Sequence, residues 1–450
     1  MASTYLSRTT SSATLATKYT LSFWVKRSTP GADMRMFNNY VDSNNSGQVY
    51  FDANDNLNLY DVQSGSSALQ LVTNRVFRDV SAWYHIVIAV DTTQSTSSDR
   101  AKIYVNGTQE TSFSTNNYPS QDSSLSMQGV SASGQRRIGS HNGGGDYFDG
   151  CLTHLHFIDG TAYAASTFGE TDSTSGIWKP KTAPSVTYGT NGEFIKFENS
   201  GAMGTDSSGN SNTYTVNGTM TQNVDSPTNN FINLNPLDAY YTNSTFSNGN
   251  LTFASGSSYS GTLANILLDT GKWYWEVKPI SKTGDTDNYV IGIQGAPSTA
   301  TNQFSGYNLN YGYQYYGTSG HVYNNGSSTT YGNTYAAGDI MGIALDLDNN
   351  KLYFSKNGTY QNSGVPTSGS TGTGAVSIVD PSTTTLGGYY PSQTFWSGSG
   401  ATISMNFGSG FFGTTAVASA NADGNGFGAF EYAVPSGYYA LCTKNIKEFG

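Results

Sequence analysis

Seven glutamates are the first candidates for chemistry in this chain: Glu110, Glu170, Glu193, Glu198, Glu276, Glu431 and Glu448. Retaining glycoside hydrolysis needs two carboxyl groups roughly 5 Å apart, usually close together on one strand. No pair here shares a strand in that way. Glu193 and Glu198 have opposite parity on one short run and face opposite sides, and Glu276 sits in a Trp-Glu-Val strand, where it reads as structural. A catalytic residue is therefore not expected. His154 and His156 are spaced i, i+2, which places both imidazoles on one face of a strand, where they could bind zinc or iron. The nearby acids Asp149 and Asp159 fall at turns, so the pair reads as one half-buried face and no metal or cofactor is expected. Asp52 and Asp55 lack the ordered set of oxygens that calcium requires.

Two other groups of residues suit recognition better than catalysis. The loop His141-Asn142-Gly-Gly-Gly-Asp146 is polar and could hydrogen-bond a sugar, although a plain hairpin loop accounts for it as well. Eight tyrosines crowd the run from Tyr307 to Tyr335. Tyrosine offers rigid, amphipathic contact area at low entropic cost. Tyr313, Tyr323 and Tyr331 are assigned to the scaffold. Tyr307, Tyr315 and Tyr316, with Asn308, Asn310 and Gln314 as hydrogen-bonding neighbours, form the expected ligand face.

The elements that must position these groups are strands. Thr20-Leu-Ser-Phe-Trp-Val-Lys-Arg27 alternates with period two, and Ala82–Val90 is a longer apolar strand suited to the middle of a sheet. Ala101–Val105 runs into Asn106-Gly107, and Lys351–Ser355 leads to Asn357-Gly358. Both dipeptides tolerate the positive φ of a type I′ hairpin turn. Leu, Glu and Lys never build a helical stripe. Charged residues make up only 12% and aromatics 13%, which provides material for cores and argues against disorder. At 450 residues the chain suits two to three domains.

Charge narrows the partners. The formal net charge is -10, and the densest positive cluster is the dipeptide Arg136-Arg137. Nucleic acid and anionic membrane surfaces are therefore not expected as partners. No apolar run approaches the ~20 residues of a membrane span, and the N-terminus shows no secretory signal. Cys151 and Cys442 are expected to be reduced and buried.

Residues 1–165 resemble the laminin-G-like branch of the concanavalin A-like lectin/glucanase superfamily. The resemblance rests on the ordered set Ser22-Phe-Trp-Val25, Trp83-Tyr-His-Ile-Val87, Ile103-Tyr-Val-Asn-Gly107, Ile138-Gly139 and Phe148-Asp-Gly150. Residues 241–413 resemble a SPRY domain through Trp275-Glu-Val277, Gly338-Asp-Ile-Met-Gly342, Asp348-Asn-Asn350, Phe354-Ser-Lys-Asn-Gly358 and Asn406-Phe-Gly408. These resemblances imply an all-β chain of two antiparallel β-sandwich (jelly-roll) domains without catalysis. A long connector, 166–240, joins them and a tail, 414–450, follows. The connector is expected to lie along the surface of one or both modules.

The Pro435-Ser-Gly-Tyr438 ending, and the tandem order of the modules, are similar to large proteins of marine phages. That resemblance implies a non-enzymatic component of the virion surface, assembled in the bacterial host cytoplasm. It would be a tail-fibre or receptor-binding protein recognising a host cell-surface glycan or protein and touching other virion proteins, most simply as a homo-oligomeric trimer. The alternative is a capsid decoration or fibre-adaptor protein; a glycoside hydrolase comes third.

Overall fold

A computed structural model of the protein describes residues 3–129, 134–142, 144–240, 244–256, 260–282, 288–297, 310–396 and 400–450. The chain is all-β and divides into two compact units, Met1–Gln222 and Asn223–Gly450. Among the described residues the only α-helix is Thr443–Phe449, and no helix is long and apolar enough to cross a membrane.

The first unit stacks two antiparallel sheets. One has eight strands in the order Phe113–Asn117, Ser66–Val76, Asn56–Gln63, Asn45–Phe51, Met34–Asp42, Gln135–Ile138, Tyr5–Thr9 and Thr215–Asn217. The other has six, in the order Glu193–Ile195, Gly150–Asp159, Lys18–Arg27, Tyr84–Asp91, Ala101–Val105 and Thr108–Glu110. The period-two alternation of Lys18–Arg27 sends Leu21, Phe23 and Val25 inward to meet Ile86 and Ile88 from the neighbouring strand, and Phe37, Val49 and Leu59 from the opposite sheet. Residues 166–222 belong to this unit. They supply the edge strands Glu193–Ile195 and Thr215–Asn217, and also Phe168, Trp178 and Tyr188, which cover the outer face of the six-stranded sheet.

The second unit also stacks two sheets. Seven strands run in the order Leu234–Tyr240, Ser260–Ala264, Tyr390–Phe395, Tyr289–Gln294, Gly312–Tyr316, His321–Asn324 and Ser327–Thr330. The facing sheet is centred on Lys272–Ser281, Met341–Asp346 and Lys351–Lys356, with Thr402–Asn406 on the other side of Lys272–Ser281. Trp273, Trp275, Val277, Ile343 and Phe354 fill the interior from this second sheet. The C-terminal segment folds onto the outside of that sheet, where Phe430, Tyr438 and Ala440 pack against Tyr274, Ala344 and Tyr353.

Both Asn-Gly dipeptides take positive φ at both residues: 48° and 82° at Asn106 and Gly107, 48° and 79° at Asn357 and Gly358. That is the backbone of a type I′ hairpin, and strands pair across each turn. In each hairpin the side-chain oxygen of the Asn accepts a backbone N–H, from His85 in one case and Ile340 in the other. Cys442 is a buried thiol and Cys151 is half-buried.

Candidate functional site

The carboxylates that could have worked as acids or bases are occupied structurally. Glu193 is fully buried. Its oxygens accept from Arg8 Nη2 at 2.6 Å, Arg136 Nη1 at 3.1 Å and the Tyr214 hydroxyl at 2.7 Å. Burial opposes the Arg8 charge, but Glu193 and Tyr214 hold its pKa above the ordinary arginine value. Glu276 is also fully buried. It accepts the backbone N–H groups of Glu431 and Tyr432, each at 2.9 Å, the Asn406 amide at 3.2 Å and the Tyr274 hydroxyl at 3.2 Å. Burial nevertheless pushes its carboxyl up to about 7, against those donors. Glu276 is thus a clamp that fixes the C-terminal segment to the second unit. Glu198 is exposed beside Lys196.

His85, His154 and His156 belong to an aromatic layer on the outside of the six-stranded sheet. A β-bulge between Thr153 and His156 interrupts the strand, with His154 at φ 47°, so the two-residue parity assumed from the spacing does not hold there. The His154 and His156 rings lie 6.1 and 3.9 Å from the Phe194 ring. His154 Nδ1 meets Thr153 Oγ1 and His156 Nδ1 meets the Tyr188 hydroxyl. His85 Nε2 lies 2.9 Å from Ser22 Oγ, a spacing that suggests an activated serine. The tautomer excludes it. Trp178 Nε1 is a donor only and donates to His85 Nδ1 at 2.9 Å. Neutral His85 must therefore carry its proton on Nε2 and donate to Ser22, so it cannot take the hydroxyl proton. Burial, then the neighbouring His154, drives the His85 pKa down to about 3, which keeps the ring neutral.

The expected ligand face divides. Tyr307 and Asn308 lie outside the described residues. Gln314 is fully buried, donating to the Ile293 carbonyl and Ser392 Oγ. Tyr315 is also fully buried. Its ring packs against Tyr331, Tyr335 and Phe354 and its hydroxyl donates to the Asn333 carbonyl. Asn310 is exposed. Tyr316 is half-buried, with its hydroxyl on Asn288 Oδ1 at 2.7 Å and ring centroids 5.9 and 6.4 Å from Tyr323 and Trp396. His321 adjoins Tyr323 at 6.4 Å. These half-buried rings make a patch that sequence spacing missed, because Trp396 comes from a distant strand end. In the first unit, His141 and Asn142 are half-buried and Asp146 is exposed. His141 meets Tyr40 edge-on at 6.4 Å and Asp146 stands 3.4 Å from Arg35.

Comparison with known proteins follows this division. Residues 2–166 match the Concanavalin A-like lectin/glucanases superfamily and residues 272–409 match the SPRY domain. The second unit carries a SPRY domain. Ran-binding protein 9 of Danio rerio is 37% identical over 90 residues, 20% of this chain and 14% of that protein. Ran-binding protein 9 of Homo sapiens is 36% identical over 90 residues, 20% of this chain and 12% of that protein. The matched stretch is thus a small part of each relative. Among solved structures, the SPRY domain of human HERC1 is 17% identical, covering 38% of this chain and 96% of its own, with a TM-score of 0.30. A pentraxin from Limulus polyphemus is 17% identical, covering 36% of this chain and 72% of its own, with a TM-score of 0.28.

These relatives correct the expectation drawn from phages. They are eukaryotic proteins named for binding Ran. The tail-fibre or receptor-binding role, the capsid alternative, the host and virion partners and the virion-surface location are withdrawn. The trimer goes with them, since its motive was the fibre. The phage resemblance rested on a short turn-rich ending and on module order; neither is a binding site. The SPRY motifs, by contrast, fall on core and turn positions of this fold, such as Trp275, Glu276 and Asn357.

Proposed function

We propose that the chain is a non-enzymatic protein-binding chain whose SPRY unit takes up a segment of another protein at the Tyr316, His321, Tyr323 and Trp396 patch. One observation carries this reading. The patch gathers half-buried aromatic rings beside the strand Ser327–Thr330, which ends the seven-stranded sheet and has all four residues exposed. Such a strand edge offers main-chain hydrogen bonds to an extended segment, and neighbouring rings offer side-chain pockets. The buried, hydrogen-bonded state of Glu193, Glu276 and His85 supports the non-enzymatic part. The relatives' name makes Ran a defined first probe.

The test is selection of a random peptide library against the full chain, with purified Ran titrated in parallel. Selected segments are expected to bind saturably and to lose affinity on the double variant His321→Ala, Tyr323→Ala, whose fold is checked by its melting curve. Equal binding by a folded double variant, or no selected segment together with no Ran binding, would overturn the reading.

A further inference from the structure

The outer face of the eight-stranded sheet in the first unit is built for contact. Strand register sets Ser7, Arg137, Asn38, Gln48 and Tyr60 side by side on this face, each directly opposite the next on five successive strands. Arg35, on the same strand as Asn38, donates through Nε to Gln48 Oε1 at 3.0 Å. Two guanidiniums therefore flank a floor of two amides. Each lies on a tyrosine ring: Arg35 is 3.7 Å from the Tyr50 centroid and Arg137 4.7 Å from that of Tyr5. Stacking fixes the planar forks and keeps them on the sheet face.

The charges are incompletely answered. Arg35 has Asp146 at 3.4 Å and Asp33 at 3.6 Å, both longer than a charge-assisted hydrogen bond. Among the described residues Arg137 has no carboxylate partner; its Nη1 donates to the His141 carbonyl at 3.0 Å. The neighbouring Asn38 is fully buried, and its Oδ1 has no hydrogen-bond partner. On one sheet face of this acidic chain, the described residues thus leave a half-buried guanidinium without a carboxylate partner, above a buried amide.

We propose that this face binds an extended acidic peptide segment, with a carboxylate of the segment on the half-buried Arg137 and its apolar groups on the half-buried rings of Tyr5 and Tyr50. A carboxylate completes the pairing that Arg137 lacks among the described residues, and the tyrosines supply apolar contact for the intervening side chains. A neutral glycan would use the rings but leave the guanidinium unanswered. The site lies in the first unit and does not depend on the SPRY reading.

The probe is a fluorescent ten-residue peptide with Asp and Glu at alternate positions, read by polarisation against the full chain. Its Asn/Gln counterpart and a fluorescent laminarin oligosaccharide are read alongside. The acidic peptide is expected to bind at least about tenfold more tightly than its amide counterpart, and to weaken by about tenfold in Arg137→Gln and with rising salt. Arg137→Lys keeps the charge but not the planar fork, so its loss should be partial; a melting curve reports whether each variant is folded. His321→Ala with Tyr323→Ala should leave this binding unchanged. Tighter binding of the oligosaccharide than of the acidic peptide, no peptide binding, or equal binding by folded Arg137→Gln would overturn the proposal.

Discussion

Glu193→Gln is the most informative single change in the first unit. The carboxylate lies between two guanidiniums, those of Arg8 and Arg136, and all three side chains are buried or nearly so. Arg136 is fixed further by the Met127 and Asn191 carbonyls and by the Phe157 ring 3.9 Å away, so it cannot swing into water. The substituted amide would keep the shape and one acceptor while removing the only negative charge in the cluster. Breaking a buried ion pair from one side costs about 3–5 kcal/mol, because the remaining charge stays desolvated. A domain's whole stability is roughly 5–15 kcal/mol, so the first unit should fall close to its unfolding threshold. Urea titration of the full chain, followed by hydrogen exchange with mass spectrometry, separates the two units. Peptides covering residues 5–9, 134–140 and 191–195 should lose protection together, while those of the second unit keep theirs. Replacing the whole cluster, as Arg8→Met, Arg136→Met and Glu193→Leu, should recover much of the loss, since nothing charged then remains buried. A first-unit midpoint within about 1 kcal/mol of wild type in Glu193→Gln would refute the reasoning.

Three further outcomes are expected. Gly107→Val and Gly358→Val should each destabilise their own unit by roughly 1–3 kcal/mol, because both positions hold positive φ and a new Cβ would meet the Trp178 ring at 2.9 Å or the Tyr432 ring at 2.7 Å; unchanged melting of both would disprove the packing described. The folded pKa of Glu276 lies above its unfolded value, so its contribution is fully present below about pH 4.5 and is lost as pH rises to about 7. That amounts to about 3 kcal/mol across the window; chemical denaturation between pH 4.5 and 7.5 should show this decline in the second unit, and Glu276→Gln should flatten it. Gln393 is fully buried with neither amide atom partnered; Gln393→Met should raise the melting temperature, by about 1 kcal/mol of stability, and a fall would point to a water bound there.

The strands and hairpins were legible because their signals are local. The alternation in Thr20–Arg27 and the two Asn-Gly turns each involve a few neighbouring residues, and the structure places them as expected. The Glu193 cluster was not legible, because its partners are 57 and 185 residues away and its own strand is three residues long. His85 was invisible for a similar reason: Trp178, 93 residues on, decides its tautomer. Part of the tyrosine run misled the reading of a ligand face. Period two sends Tyr313 and Tyr315 inward together, yet spacing alone does not say which face of Gly312–Tyr316 is the covered one. Gln314, on the opposite face, is also buried.

The place of Tyr5–Thr9 in its sheet bears on how the first unit is made. This strand lies between Gln135–Ile138 and Thr215–Asn217, and Leu6 pairs with Val216. During synthesis this strand, early in its unit, thus waits for nearly the last residues of that unit before both edges are closed. At about 5–20 residues per second that wait is roughly 10–40 s. Closing a loop of this length is also slow in itself, since the entropy is lost before the contacts form. During the delay Tyr5–Thr9 presents unpaired N–H and C=O groups, the usual template for pairing with another chain. Yield during expression should therefore depend more on translation speed and temperature than the stability of the finished fold would suggest.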